Sequence, residues 1–201
     1  MGLASFQLTI SQCRVCGLYR QVSQNTKAET VFHTQQKGPT MPHAPASMQP
    51  KAAEHIGIND APFVTVSEKM AVQLLHVDLT QGLWVLRLRL KAGEVIETHR
   101  HTGSVYAVTE KGRWFYREYS DVVNSPGSYL FEPAGSVHTL MTPKDQVGET
   151  VVWFAIHGAN LNLDDNGNIT SVLDAPTILS GYRALCKAQN LDASKVIVHG
   201  E

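Results

Sequence analysis

Cysteine is scarce. Only Cys13, Cys16 and Cys186 occur in 201 residues, and so small and odd a set does not make a disulfide framework. A reducing, cytoplasmic setting is therefore expected. Long hydrophobic runs are missing as well. Leu83–Leu90 is broken by Arg87 and Arg89, and no segment approaches the roughly 20 apolar residues that cross a bilayer. The first residues hold no extended apolar core of the kind a secretory signal carries. Excess charge is also lacking. A formal net charge of −1 gives no long-range attraction to nucleic acid or anionic lipid, so neither is expected as a partner.

What is present divides by composition. Residues 1–60 are read as a disordered extension, because the stretch from Gln21 to Pro50 is rich in Gln, Thr, Ser, Pro and Ala and poor in large apolar residues. Such a segment cannot bury enough surface to offset the entropy of ordering it. Met41 and Met48 lie just ahead of the patterned region and are alternative starts. Cys13 and Cys16 form a lone CxxC, with no second pair to complete a metal site, and are read as incidental thiols.

Residues 61–173 carry a period of two. Leu86, Leu88 and Leu90 alternate with Arg87 and Arg89, and Arg113–Tyr119, Ser128–Glu132 and Thr150–Ile156 read as further strands. Gly- and Pro-containing breaks such as Ser125-Pro126-Gly127, Pro133-Ala134-Gly135 and Asp165-Asn166-Gly167 separate them. Many short strands at regular turn spacing predict an all-β sandwich or barrel. Residues 174–201 change period: Ile178, Tyr182, Leu185, Cys186 and Gln189 recur at helical spacing. With Asp174 as N-cap and Pro176 in the first turn, one helix is predicted over 175–189, packed on the barrel with Cys186 buried. Trp84, Trp114, Phe131 and Trp153 are assigned to the core.

The chemistry centres on His99-Arg100-His101. Residues two apart on a strand point to the same face, so the two imidazoles stand side by side and can chelate one ion. His138 follows a strand and the Pro-Ala-Gly turn and supplies a third. Three neutral imidazoles with open positions suit iron, zinc, copper, nickel or manganese.

The segments around these histidines carry a resemblance. Gly93 to His101 followed by Gly112, and Gly127 to His138, resemble the two cupin motifs in internal spacing. The resemblance implies a cupin fold, a double-stranded β-helix or jelly-roll barrel. More narrowly, His99–Thr109, Gly112–Tyr119, Gly127–Leu140 and His157–Asn160 resemble the 2,4′-dihydroxyacetophenone dioxygenase family, over about Gly82–Gln189. That resemblance implies a non-haem Fe(II) site on His99, His101 and His138, with O2 as co-substrate. It also implies cleavage of an aryl α-hydroxyketone to 4-hydroxybenzoate and formate. The same scaffold serves anti-sigma zinc cupins, and β-diketone or flavonol dioxygenases are the rival enzymes. As a cupin, the chain is expected to form a homodimer or tetramer.

Two positions depart from the cupin pattern. Val105 stands where the first motif usually carries a glutamate ligand, and Thr142 stands where the second often ends in Asn. The site is accordingly read as three histidines without a carboxylate. Three groups are candidates to support the ligands. Glu118 shares strand parity with Trp114 and Tyr116, and reaches the centre if that face is the inner one. Glu97 shares the parity of His99 and His101, and His157 closes the Val151–Ile156 strand. Glu132, next to the Pro turn, either accepts an imidazole N–H or faces water.

Overall fold

The computed structural model describes residues 53–201. The extension up to residue 52, including the Cys13/Cys16 pair, lies outside the described residues. Thirteen strands and one helix follow in chain order: β1 (Val64–Thr65), β2 (Met70–Asp78), β3 (Leu83–Leu90), β4 (His99–His101), β5 (Val105–Lys111), β6 (Phe115–Tyr116), β7 (Tyr129–Glu132), β8 (Val137–His138), β9 (Leu140–Met141), β10 (Thr150–His157), β11 (Asn160–Leu163), β12 (Ile169–Leu173), α1 (Ala175–Ala188) and β13 (Ile197–His199).

The larger sheet runs β1-β2-β3-β10-β5-β7, with β13 added in parallel to β2. A smaller sheet runs β12-β11-β4-β8, and β6 pairs with β9. All pairings except β13 with β2 are antiparallel. This is the jelly-roll arrangement of a cupin. The alternation read from sequence governs burial: Thr150, Val152, Phe154 and Ile156 are buried on β10, while Val151, Trp153, Ala155 and His157 are only half-buried on the other face. Trp84, Leu86, Leu90, Val105 and Trp114 are buried within the barrel, each large side chain contributing about 1.5–3 kcal/mol relative to exposure. Phe131 departs from its core assignment. It is 51% exposed, because its strand partner in the pleat, Glu132, takes the inner face.

α1 begins where the sequence indicated. Asp174 accepts a hydrogen bond from the Thr177 N–H at 2.9 Å. Ala175, Leu179, Tyr182 and Cys186 make its buried stripe. The Tyr182 hydroxyl donates to the Pro62 carbonyl at 2.6 Å, which ties the helix to the segment entering β1. That segment starts before residue 61: the Gln73 amide donates to the carbonyls of Ile58 and Ala61. Just past β4 the backbones close up tightly. A Cβ at Gly103 would sit 2.3 Å from the His157 carbonyl oxygen, so only glycine lets the exit of β4 pass the end of β10.

Candidate metal centre and cavity

His99 and His101 stand two apart on β4, and His138 on β8 pairs directly with His99 across the ladder. The register therefore places three imidazoles on one face. All three are buried, at 6%, 3% and 3% exposure, and one ligand-capable nitrogen from each lies within 4.8 Å of the others. The His99 Nδ1 is 2.7 Å from the Glu97 carbonyl. A carbonyl can only accept, so Nδ1 carries the proton and Nε2 keeps its lone pair for the centre. Burial drives the His99 pKa down to about 4, against the smaller upward pull of that hydrogen bond. The ring is neutral at neutral pH, the form that binds metal.

A carboxylate joins this set. Glu132 Oε2 lies 2.9 Å from His101 Nε2 and 3.1 Å from His138 Nε2, and those two nitrogens are 3.2 Å apart. Burial raises the Glu132 carboxyl pKa, but the two imidazoles outweigh it and hold the group ionised, below the ordinary carboxylate range. Among the described residues Oε2 has no aligned hydrogen-bond donor, and neither has His101 Nδ1. The Glu132 oxygen makes close ion-pair contacts, and the two imidazole nitrogens lie at hydrogen-bond distance from each other. Ligand atoms held tetrahedrally about 2.0–2.1 Å from one ion sit roughly 3.3 Å apart. Converging imidazole nitrogens and an ionised oxygen at this spacing fit a divalent cation.

The metal-capable group is the three histidines alone, as expected, but a carboxylate lies against two of them. Val105 is fully buried and carries no charge, but Glu132 on β7 is its cross-strand partner. Cβ atoms of such partners lie about 4.5–5.5 Å apart on one face, so the acid reaches the same space from the neighbouring strand. Tyr116 completes the arrangement. Its hydroxyl donates to Glu132 Oε1, and its ring stacks on His138 with centroids 3.9 Å apart. Sequence reasoning named Tyr116 only as a face-mate of Glu118.

The three support candidates are placed elsewhere. Glu118 falls in a 3-10 turn, Arg117–Tyr119, that breaks the strand parity after Tyr116. Its carboxylate instead accepts from the Thr139 N–H at 2.9 Å and the Thr139 hydroxyl at 3.0 Å, which braces the residue after His138. Glu97 acts through its carbonyl, and its side chain is exposed at the cavity mouth. His157 lies on the outer face of β10 near Tyr106, with centroids 6.4 Å apart, because the alternation of β10 turns it away from the barrel.

In front of the histidines opens a cavity of about 540 Å³. Trp84, Leu86, Phe154 and Ile156 line its depth, and Met70 and Leu88 its flank. Ile178, Gly181 and Leu185 of α1 line it too, so the helix read as packing on the barrel also forms the cavity's wall. The volume falls within the range of small-molecule sites, mostly apolar with a few polar groups.

A jelly-roll barrel with a buried three-histidine centre at the base of an apolar cavity defines a cupin. The chain belongs to the ChrR cupin-like domain family, whose model matches residues 51–160. Two cupins of Ralstonia eutropha JMP134 resemble it. One, a protein of unknown function with a cupin-like fold, is 29% identical, with a TM-score of 0.70 over 76% of this chain and 96% of its own. The other, an RmlC-like cupin, is 28% identical, with a TM-score of 0.65 over 70% and 91%. The acetylacetone dioxygenase of Acinetobacter johnsonii shares the fold at 22% identity and a TM-score of 0.61, over 68% and 95%. No curated protein matches the chain by sequence. No helix among the described residues is long and apolar enough to cross a membrane.

Proposed function

We propose that the chain is a non-haem Fe(II) dioxygenase that cleaves the bond between the ketone and hydroxymethyl carbons of an aryl α-hydroxyketone. The observation that carries this reading is the convergence of three buried imidazoles, two of which, His99 and His101, line an apolar cavity of aryl-ketone size. The resemblance to the 2,4′-dihydroxyacetophenone dioxygenase family supports it. So does the shared fold with a protein that acts on a small diketone, acetylacetone. The overall change balances: 2,4′-dihydroxyacetophenone and O2 become 4-hydroxybenzoic acid and formic acid, one of each.

His99, His101 and His138 would hold the ion, which supplies Lewis acidity toward chelating oxygens and electron transfer to O2. The protein's own part is positioning and electrostatics. The apolar walls hold the aryl ring and exclude water. The Glu97 carbonyl fixes the His99 tautomer. Glu132, held ionised beside two of the imidazoles, offsets part of the ion's charge. Through the Tyr116 hydroxyl it also gives the site a buried hydrogen-bonded pair.

One observation favours a second reading. Three imidazoles with a carboxylate beside them offer four donors, the number a closed tetrahedral zinc site takes, and the family model that matches is the ChrR cupin-like domain. Metal analysis of protein purified without O2, followed by O2 uptake with 2,4′-dihydroxyacetophenone, separates the two. The dioxygenase reading expects iron, and one formate and one 4-hydroxybenzoate per O2. Bound zinc with no O2 uptake after Fe(II) reconstitution transfers the assignment to the regulatory cupin. Turnover of a β-diketone alone transfers it to that class of dioxygenase.

A further inference from the structure

Five buried side-chain atoms lack a hydrogen-bond partner among the described residues: His76 Nε2, His101 Nδ1, Glu132 Oε2, Ser136 Oγ and Asn160 Oδ1. His101 and Glu132 belong to the metal centre. His76 and Ser136 do not line the cavity, whereas Asn160 does. On β11, Asn160 is the cross-strand partner of His101, and Asn162 is the partner of His99. The Asn162 amide is occupied, donating to the Ser171 hydroxyl at 2.9 Å. The Asn160 Oδ1 is buried without a hydrogen-bond partner, and its backbone position sets the residue beside a metal-centre histidine, within about 4.5–5.5 Å at Cβ.

A buried carboxamide oxygen without a donor costs free energy in the folded chain, and Asn160 is half-buried, so the rest of its amide stays open to the cavity. Nothing in the barrel uses it, and its neighbour across the ladder faces the ligand space. We propose that Asn160 is the ligand-reading residue of this cavity: its carboxamide hydrogen-bonds a hydroxyl-derived oxygen on the head of the ligand next to the three-histidine centre. A carboxamide presents a donor and an acceptor together. A hydroxyl can answer both, its deprotonated form accepts from the N–H, and a methyl group answers neither. The ligand class selected is therefore one with an oxygen on the carbon next to the ketone. This inference rests on the α-hydroxyketone reading of the site and adds the residue that distinguishes the hydroxyl.

The test uses the full chain loaded with Fe(II) and kept free of O2. Binding of 2,4′-dihydroxyacetophenone and of 4′-hydroxyacetophenone, which lacks the α-hydroxyl, is measured by calorimetry for the wild type, Asn160→Leu and Asn160→Asp. Asn160→Leu should bind the hydroxyketone about tenfold or more weakly and the deoxy ligand unchanged, because only the first loses a partner. Asn160→Asp should also weaken the hydroxyketone, since a carboxylate repels the anionic oxygen. Metal content should stay at the wild-type level, and the Tm of Asn160→Leu should be equal or higher, as expected when an unpartnered polar group is removed. Equal losses for both ligands, no loss for either, or a lower Tm with loss of metal would each overturn the assignment. Wild-type protein that binds neither ligand takes down the α-hydroxyketone reading and this inference together. Wild-type protein that binds the hydroxyketone while Asn160→Leu binds it equally well sinks the Asn160 role alone.

Discussion

Two places in the molecule bring imidazoles and a carboxylate together, and they behave differently. At the centre, the rings of His99 and His101 are 4.8 Å apart and nearly perpendicular, with His138 and Glu132 against them. At the outer edge of β2, the rings of His76 and His199 are 5.2 Å apart, and Glu54 contacts His199 Nε2. The ingredients are alike. The outer carboxylate and His199 are well exposed, at 54% and 37%, so water competes for their contact, which is an ordinary surface pair. The inner set is dry and has a third imidazole. Burial leads the lowering of both His76 and His99, and only His99 is driven to about 4. Proximity of histidines is thus not a metal site. Burial and convergence on one point are what make the inner set able to hold an ion.

The largest effect should come from removing an inner imidazole. Single His99→Ala, His101→Ala and His138→Ala variants are expected to lose bound metal by about 100-fold or more in affinity and to lose turnover, whereas His76→Ala and His199→Ala keep both. Metal content by elemental analysis decides, and an outer variant that loses metal breaks the contrast. Next are the supports. Glu132→Gln keeps the shape and removes the charge, and it should lower metal affinity by about 10–100-fold; Tyr116→Phe should cost less, because the carboxylate remains. Competition titration with a chelator measures both, and an unchanged Glu132→Gln affinity would place the carboxylate outside the ion's reach.

A smaller effect is expected on acidification of the metal-free chain. The folded-state pKa of His99 is depressed from 6.5 to about 4. Below 6.5 the unfolded chain takes up a proton that the folded chain refuses. Stability is therefore lost from about pH 6.5 down towards 4, and this group contributes no slope above 6.5. His76 carries the same sign and a smaller shift. NMR titration of the two rings should give His99 the lower midpoint, and the reverse order would show that the inner set is not the drier one. The smallest effect belongs to the N-terminal extension. A chain starting at Met48 keeps Glu54 and both histidine sets, and its Tm and metal content should match the full chain. A clear loss of either would make the first 47 residues structural.

Much of this was legible from residue spacing, and what was not has physical causes. Strand parity put His99 and His101 on one face, and alternation along β10 and the capped helix α1 followed the sequence closely. The source of the carboxylate was not legible. Parity within one strand says nothing about which residue of another strand lies opposite, and only the register shows Glu132 across from Val105. Glu118 stays off the centre although Tyr116 faces inward, because parity holds only while the strand lasts, and here it ends at Tyr116. Phe131 was assigned to the core by its size, although the next residue, Glu132, took the inner face. Asn160 carried a signal that was passed over: it follows the Gly158-Ala159 turn at the head of β11, the strand that flanks β4.

The position of β10 in the larger sheet sets how late that sheet can close during synthesis. This strand lies between β3 and β5, yet it leaves the ribosome after both, and the Trp84–Gly158 hydrogen bond beside it spans 74 residues of chain. All three histidines and Glu132 have been synthesised by residue 138, before the strand that joins the two halves of the sheet exists. Contacts this distant in sequence close slowly, on millisecond-to-second scales for β-rich folds. The nascent chain therefore holds all three histidines and Glu132 before it has a barrel to bury them in, and before α1 exists to wall off the cavity.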